Sequence, residues 1–135
     1  MEKDNRIINR DYKAISDELI SNEPELEYIK YSNVNIIYLS SDYAKTKAGG
    51  KVLGQCEKIQ NKYKWGIPCD FTITVFEPNV VGFTDEQFKI LLFHELLHIG
   101  IDLNSEGNEV YSVRPHDLED FKIIVNKFGT DWDRR

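Results

Sequence analysis

Two histidines and one glutamate in a short segment are the residues best suited to chemistry. Residues 94–98 are His-Glu-Leu-Leu-His, which is the H-E-x-x-H (HExxH) spacing. On a helix, positions i and i+4 share a face, so His94 and His98 can direct both imidazoles at one metal ion. Zinc suits imidazole ligands and leaves a position for water, whose pKa falls to about 7 when bound. Glu95 is then the predicted general base, which deprotonates the zinc-bound water for attack on a carbonyl group.

The residues around this motif are mostly apolar over the range 88–101. Histidine and glutamate side chains buried there cost several kcal/mol unless a partner satisfies them. A metal ion with its water does so. The alternative is that the histidines bond to core carbonyl groups and Glu95 pairs with a lysine; we favour the metal.

A zinc site of this kind needs a third ligand, and the chain has only one other histidine, His116. The metzincin pattern is excluded because position 104 is Asn104 rather than histidine. Carboxylates at positions 102, 106, 109 and 119 are alternatives, but zinc prefers imidazole to them. We therefore predict that His94, His98 and His116 hold the metal.

Four further residues near the third ligand are candidates for supporting roles. Asp117 adjoins His116, and Asp120 lies one helical turn further along, so either carboxylate can orient a ligand histidine through its second ring nitrogen. Tyr111 and Arg114 are close in sequence and are candidate donors to the oxyanion of the transition state.

The composition is that of an ordinary globular domain. The 135 residues are 41% hydrophobic and 30% charged, with a formal net charge of −6. These values exclude disordered and collagen-like chains, and the acidic balance argues against nonspecific nucleic-acid binding over the whole surface. No signal peptide or membrane span is recognisable, so we expect one cytoplasmic domain over residues 1–135 with no membrane partner. Cys56 and Cys69 lack metal-knuckle spacing and are interpreted as reduced thiols, with a disulfide between them as the alternative.

Helical periodicity and β-branched runs predict the elements of the first two thirds of the chain. Apolar residues at helical spacing predict a helical N-terminal segment over residues 1–31. A sheet is predicted over residues 34–77, with strands at 34–39, 51–59 and 71–76.

The motif helix is predicted within residues 84–101. Thr84 and Gln87 have capping-box spacing at its start, and Gly100 is a plausible stop. A last helix is predicted over residues 115–128. The expected fold is α+β: a three- to four-stranded sheet packs against a central HExxH helix and a C-terminal helix.

Two stretches of this chain resemble the metallopeptidases carried by phages and other mobile elements. They are His94 to Ile99 and Arg114 to Phe121, and residues 44–51 are similar to the sheet region of that family. The likeness covers about residues 34–128, and SprT-like and gluzincin-type zincins are more distantly similar. It implies a minimal zincin fold, Zn²⁺ and peptide-bond hydrolysis. In gluzincins a later helix supplies a glutamate ligand, followed four residues on by aspartate; here His116 and Asp120 hold those places.

The expected partner is a protein or peptide substrate. Zincins commonly bind an extended peptide along a sheet edge, and strand 71–76 is the predicted edge, with an ordinary half-buried strand as the alternative. Residues 43–66 contain six lysines and only one acid, Glu57, with aromatic residues between them. Such a stretch can contact nucleic acid, but we favour a solvated surface.

Two other functions are compatible with the motif. The chain could be a zinc-stabilised binding module, directed at a partner or at DNA, in which a fourth protein ligand closes a structural site. It could also be a metallohydrolase that acts on bonds other than peptides.

Overall fold

The computed structural model describes residues 4–115 and 127–128. Over residues 4–115 the fold is α+β, as predicted, with three α-helices, one mixed four-stranded sheet and two small two-stranded sheets. The helices are α1 (Arg10–Asn22), α2 (Glu27–Lys30) and α3 (Asp85–Leu97). The strands in chain order are β1 (Arg6–Ile8), β2 (Ile36–Ser41), β3 (Thr46–Lys47), β4 (Gly50–Lys51), β5 (Gly54–Lys58), β6 (Phe71–Phe76), β7 (Ile99–Leu103) and β8 (Glu109–Val113).

The four-stranded sheet has the order β1-β2-β6-β5. Strands β2 and β6 are parallel in the centre, and β1 and β5 are antiparallel to their neighbours at the two edges. The strand predicted over 71–76 has the correct bounds, but its prediction as the edge is wrong because β6 lies between β2 and β5. Its burial agrees with this position: Phe71, Ile73, Thr74 and Val75 are all fully buried.

Helix α3 begins as the sequence predicts and ends earlier. The Thr84 side chain accepts from the backbone N–H of Gln87, and the Gln87 side chain accepts from the N–H of Thr84, which completes the capping box. The predicted end at Gly100 is wrong, because the helix ends at Leu97 and β7 begins at Ile99. Gly100 is paired with Ser112 in β8 instead, where a Cβ atom at position 100 would lie 2.5 Å from the Ser112 Oγ. Its role is therefore close packing between strands rather than helix termination.

The N-terminal segment is helical over much of its length, and it also contains one strand. Helices α1 and α2 fall inside the predicted range 1–31, whereas β1 was not predicted. The last predicted helix, 115–128, lies mostly outside the described residues; of it, Pro115 is described and is not helical, and Lys127 and Phe128 are described and are helical.

The core forms where α1 and α3 pack against each other and against the sheet. Leu19 of α1 and Leu92, Phe93 and Leu96 of α3 are among its almost fully buried side chains. Each such side chain contributes about 1.5–3 kcal/mol by its removal from water. Because α3 is buried on nearly all sides, its motif residues are fixed relative to the sheet.

Two further expectations concern the cysteines and membrane-spanning helices. Cys56 and Cys69 are both buried and free, as expected for reduced thiols, and form no disulfide. None of the helices in the described ranges combines the length and the apolar character that crossing a bilayer requires.

Candidate metal centre

The C-terminal end of α3 brings the three motif residues together. The imidazole rings of His94 and His98 have centroids 5.1 Å apart and planes inclined by 74°. Two imidazoles that bind one tetrahedral ion at a Zn–N distance of about 2.0–2.1 Å place their ring centres about 5 Å apart. The Glu95 Oε2 atom lies 3.9 Å from the His94 Nε2 atom. The pair of histidines therefore fits one zinc ion, with a carboxylate beside it.

His98 is held by a reciprocal backbone contact with Arg114. The Arg114 carbonyl oxygen lies 2.6 Å from the His98 Nδ1 atom, and the Arg114 N–H donates to the His98 carbonyl at 2.6 Å. Since a carbonyl oxygen only accepts, Nδ1 must carry the proton, and in the neutral ring the lone pair is then on Nε2. Metal-binding histidines usually donate their other ring N–H in this way, which fixes the ring's tautomer and orientation.

Glu95 is buried against the edge strand of the sheet. Its side chain packs beside Gly54 of β5, where an added Cβ atom would lie 3.1 Å from Glu95 Oε2. Cys56, two residues along β5, faces the same side of the sheet as Gly54. Burial and the negative charge of Glu95 raise the pKa of the Cys56 thiol. The carboxylate of Glu95 therefore lies between α3 and β5.

The backbone of β5 presents hydrogen-bonding groups at this edge. The Phe76 N–H donates to the Leu53 carbonyl at 2.9 Å, and the Ile59 N–H donates to the Asp70 carbonyl at 2.8 Å. Because backbone groups alternate in direction along an antiparallel strand, the N–H and C=O groups of Gly54 and Cys56 point away from β6. Within residues 4–115 and 127–128, no backbone partner is recorded for them on that outer side. No strand in the described part of the chain pairs with this side of β5, and we call it the open edge of β5.

The two candidate oxyanion donors have different surroundings. The Tyr111 hydroxyl donates to Glu109 at 2.7 Å, and its ring packs on Phe71 with centroids 5.8 Å apart. Burial and this hydrogen bond raise the pKa of Tyr111. The Arg114 guanidinium lies 5.9 Å from the centre of the Tyr28 ring, while its backbone contacts His98.

His116, Asp117 and Asp120 lie outside the described residues, so the predicted third ligand and its two supporting carboxylates stay predictions. In the part of the chain that the structure describes, no group of three or more His, Cys, Asp or Glu side chains is placed to hold a metal ion. That part supplies the two imidazoles of α3 and the adjacent Glu95.

Two contributions to this site were not predicted from the sequence. Gly54 leaves the space that the Glu95 carboxylate fills, and a glycine inside the predicted strand 51–59 was the available signal. The Arg114 carbonyl orients His98, and this contribution had no signal because every residue carries the same carbonyl group.

Comparison with known proteins gives one match. No curated protein and no solved structure matches the chain. The family model described as Putative phage metallopeptidase matches residues 5–135, which include the HExxH segment and all strands and helices given above. A metallopeptidase family implies a bound metal, in agreement with the donor set at the end of α3. The chain therefore belongs to this phage metallopeptidase family.

Proposed function

We propose that this chain is a zinc-dependent peptidase in which His94, His98 and His116 hold Zn²⁺ and Glu95 is the general base. The observation that carries the proposal is the arrangement at the end of α3. Two imidazoles lie at a spacing that suits one ion, one of them has its tautomer set by the Arg114 carbonyl, and a buried carboxylate is adjacent.

Zinc is favoured by the chemistry of these donors. Neutral imidazole is a good zinc ligand, and the contact at Nδ1 leaves the Nε2 lone pair of His98 for coordination. When bound, Zn²⁺ polarises a peptide carbonyl and lowers the pKa of water to about 7.

His116 is supported as the third ligand by the covalent connection to Arg114. The Arg114 backbone contacts His98 through two hydrogen bonds, and His116 follows two residues later. Two residues span at most about 7 Å even when extended. This short connection supports His116 as the third ligand, and the other candidates for this role are carboxylates.

Glu95 has the position that a general base requires. Its carboxylate is buried and adjoins His94, where it can accept a proton from the attacking water and return it to the leaving amine. Because the surroundings include the apolar core and β5, bulk water competes little for this proton.

The open edge of β5 is the proposed binding site for the peptide. An extended substrate can pair with the outward N–H and C=O groups of Gly54 and Cys56, which adds a strand to the sheet. Gly54 also contacts Glu95, so a peptide bond paired at this point of the strand lies beside the base. The proposed binding edge is therefore β5 instead of β6.

Replacement of the base tests the proposal. Glu95→Gln keeps the shape of the side chain but cannot accept the proton, so kcat on a protein substrate should fall by about 10²–10⁴-fold. Zinc content and the unfolding midpoint should not change. Glu86→Gln, which alters an exposed acid at the start of the same helix, should leave kcat unaffected.

Metal analysis separates the enzyme from a structural zinc module. We expect one zinc ion per chain, a large loss of zinc in His116→Ala, and full retention in Glu95→Gln. If Glu95→Gln hydrolyses protein as fast as the parent chain, Glu95 is not the general base. If the zinc-loaded parent chain hydrolyses no protein at all, the zinc site is structural.

A further inference from the structure

Lysines lie at both ends of the open β5 edge. Lys47 and Lys51 belong to the β3–β4 hairpin that precedes the Gly54 end of the strand, and Lys58 and Lys62 lie at its other end. All four side chains are exposed. We call these four residues the edge lysines.

The β3–β4 hairpin is attached to the sheet next to this edge. Asn79 donates from Nδ2 to the carbonyls of Lys45 and Val52, both at 2.8 Å, which joins the two ends of the hairpin. Lys45 also donates to Gln55 of β5 at 2.5 Å. The hairpin lysines are therefore held near β5 by specific contacts rather than by chain connectivity alone.

Nearby acids do not neutralise the edge lysines. Glu57 pairs with Arg6 at 3.1 Å, and Asp70 pairs with Lys64 at 2.7 Å. No ion pair to Lys47, Lys51, Lys58 or Lys62 is present among residues 4–115 and 127–128. The edge therefore carries an excess of positive charge that is available to a ligand.

We propose that the substrates of this site are extended peptide segments with acidic residues on both sides of the cleaved bond. The inference rests on the proposed peptidase function and specifies its substrate class. Strand β5 spans about 13 Å from Gly54 to Lys58, so a peptide of five to six extended residues reaches both pairs of edge lysines. Complementary charge speeds encounter and favours acidic partners over neutral or basic ones.

A peptide is favoured over a nucleic acid by the groups between the lysines. The centre of the surface is a strand edge with backbone donors and acceptors at Gly54 and Cys56, which match the backbone of another strand. Phosphate groups offer acceptors only and would leave the outward carbonyls of β5 without partners.

The experiment compares two pools of synthetic decapeptides, one with Asp and Glu at alternate positions and one with Asn and Gln there. Binding to zinc-loaded Glu95→Gln protein is measured by fluorescence anisotropy, which requires no turnover. We expect the acidic pool to bind about tenfold more tightly at low ionic strength, and the difference to shrink strongly in ~0.5 M salt.

Charge-reversal variants assign the effect to this surface. Lys51→Glu and Lys58→Glu, each made in the Glu95→Gln protein, should reduce the preference to about twofold or less. Lys30→Glu makes the same change of charge on an exposed lysine of α2 and should keep the preference. In the active parent chain, the acidic pool should likewise have the higher kcat/KM. Lys51→Glu and Lys58→Glu should reduce that difference, and Lys30→Glu should keep it.

Three outcomes overturn the proposal. They are equal binding of the two pools, an equal loss in Lys30→Glu, and tighter binding of a single-stranded oligonucleotide that Lys51→Glu and Lys58→Glu abolish. Failure of the parent chain to hydrolyse any peptide contradicts the peptidase function separately, because the binding measurements do not depend on it.

Discussion

The position of the Glu95 carboxylate depends on the lack of a side chain at Gly54. Position 54 faces α3 across a gap that the carboxylate occupies, and a Cβ atom there would lie 3.1 Å from Glu95 Oε2 and 3.2 Å from the Thr74 carbonyl. Both distances are shorter than ordinary van der Waals contacts. The Thr74 carbonyl belongs to a central strand and cannot move easily, so the Glu95 side chain must yield. Gly54 is thus a positioning residue for the proposed base.

We predict that Gly54→Ala lowers kcat by about tenfold, since displacement of a catalytic group by a fraction of an ångström is costly to the rate. Zinc content should be retained, because the atoms nearest to a Cβ at position 54 belong to Glu95 and Thr74. Steady-state kinetics on a protein substrate, together with metal analysis, measure both quantities. Gly66→Ala is the matched control, because a Cβ atom at position 66 meets no atom within 4 Å.

A second substitution distinguishes positioning of Glu95 from a general disturbance of β5. Glu95→Asp withdraws the carboxylate from the strand, so Gly54→Ala should reduce kcat less in that background than in the parent chain. If Gly54→Ala reduces kcat by the same factor in both backgrounds, Gly54 acts independently of Glu95.

The motif residues could be predicted from the sequence because their relation is local. His94 and His98 are one helical turn apart on any helix, and the helix itself has a clear start and an apolar run. The contact between His98 and the Arg114 carbonyl spans 16 residues and depends on how β8 pairs with β7. Such a contact follows from tertiary structure, and the amino-acid type at position 114 does not predict it, because every residue has a backbone carbonyl.

At the level of elements, the capping box stabilises the start of α3. Thr84→Ala removes the side-chain acceptor for the Gln87 N–H and should lower the free energy of unfolding by about 1 kcal/mol. Thr84→Ser keeps the side-chain oxygen and should lower the free energy of unfolding much less. His94 lies ten residues further on, about 15 Å along the helix axis, so kcat should not change. Chemical denaturation and kinetics check the two parts, and a fall in kcat without a loss of stability would contradict this account.

The elements whose prediction failed are those set by distant pairing. The apolar run continues through Leu97, Ile99 and Ile101, so periodicity alone could not show that the helix ends and β7 begins there. Strand β6 was predicted with its correct bounds, but its central place depends on β2 and β5, which are remote in sequence. Strand β1 is short and exposed at every residue, so no hydrophobic pattern marks it.

At the level of the whole molecule, both flanks of residues 116–126 are attached to the surroundings of α3. On one side, Arg114 bonds to His98 through its backbone. On the other, Phe128 packs edge-on against the buried Phe93 with ring centroids 6.3 Å apart, and Lys127 pairs with Glu23 at 3.0 Å and Glu25 at 3.1 Å. Described residues on both sides of the proposed third ligand, His116, therefore contact the surroundings of α3.

This arrangement predicts that Phe128 supports both stability and metal binding. Phe128→Ala removes a partly buried ring from the core and should lower the free energy of unfolding by about 2 kcal/mol, measured by denaturant titration. It should also weaken zinc binding, measured by competition with a chelator, because the segment that carries His116 loses one attachment. Trp65→Ala deletes an aromatic side chain that is 91% exposed and should change both quantities little. If the two variants lose the same amount of zinc affinity, the attachment at Phe128 has no part in holding the third ligand.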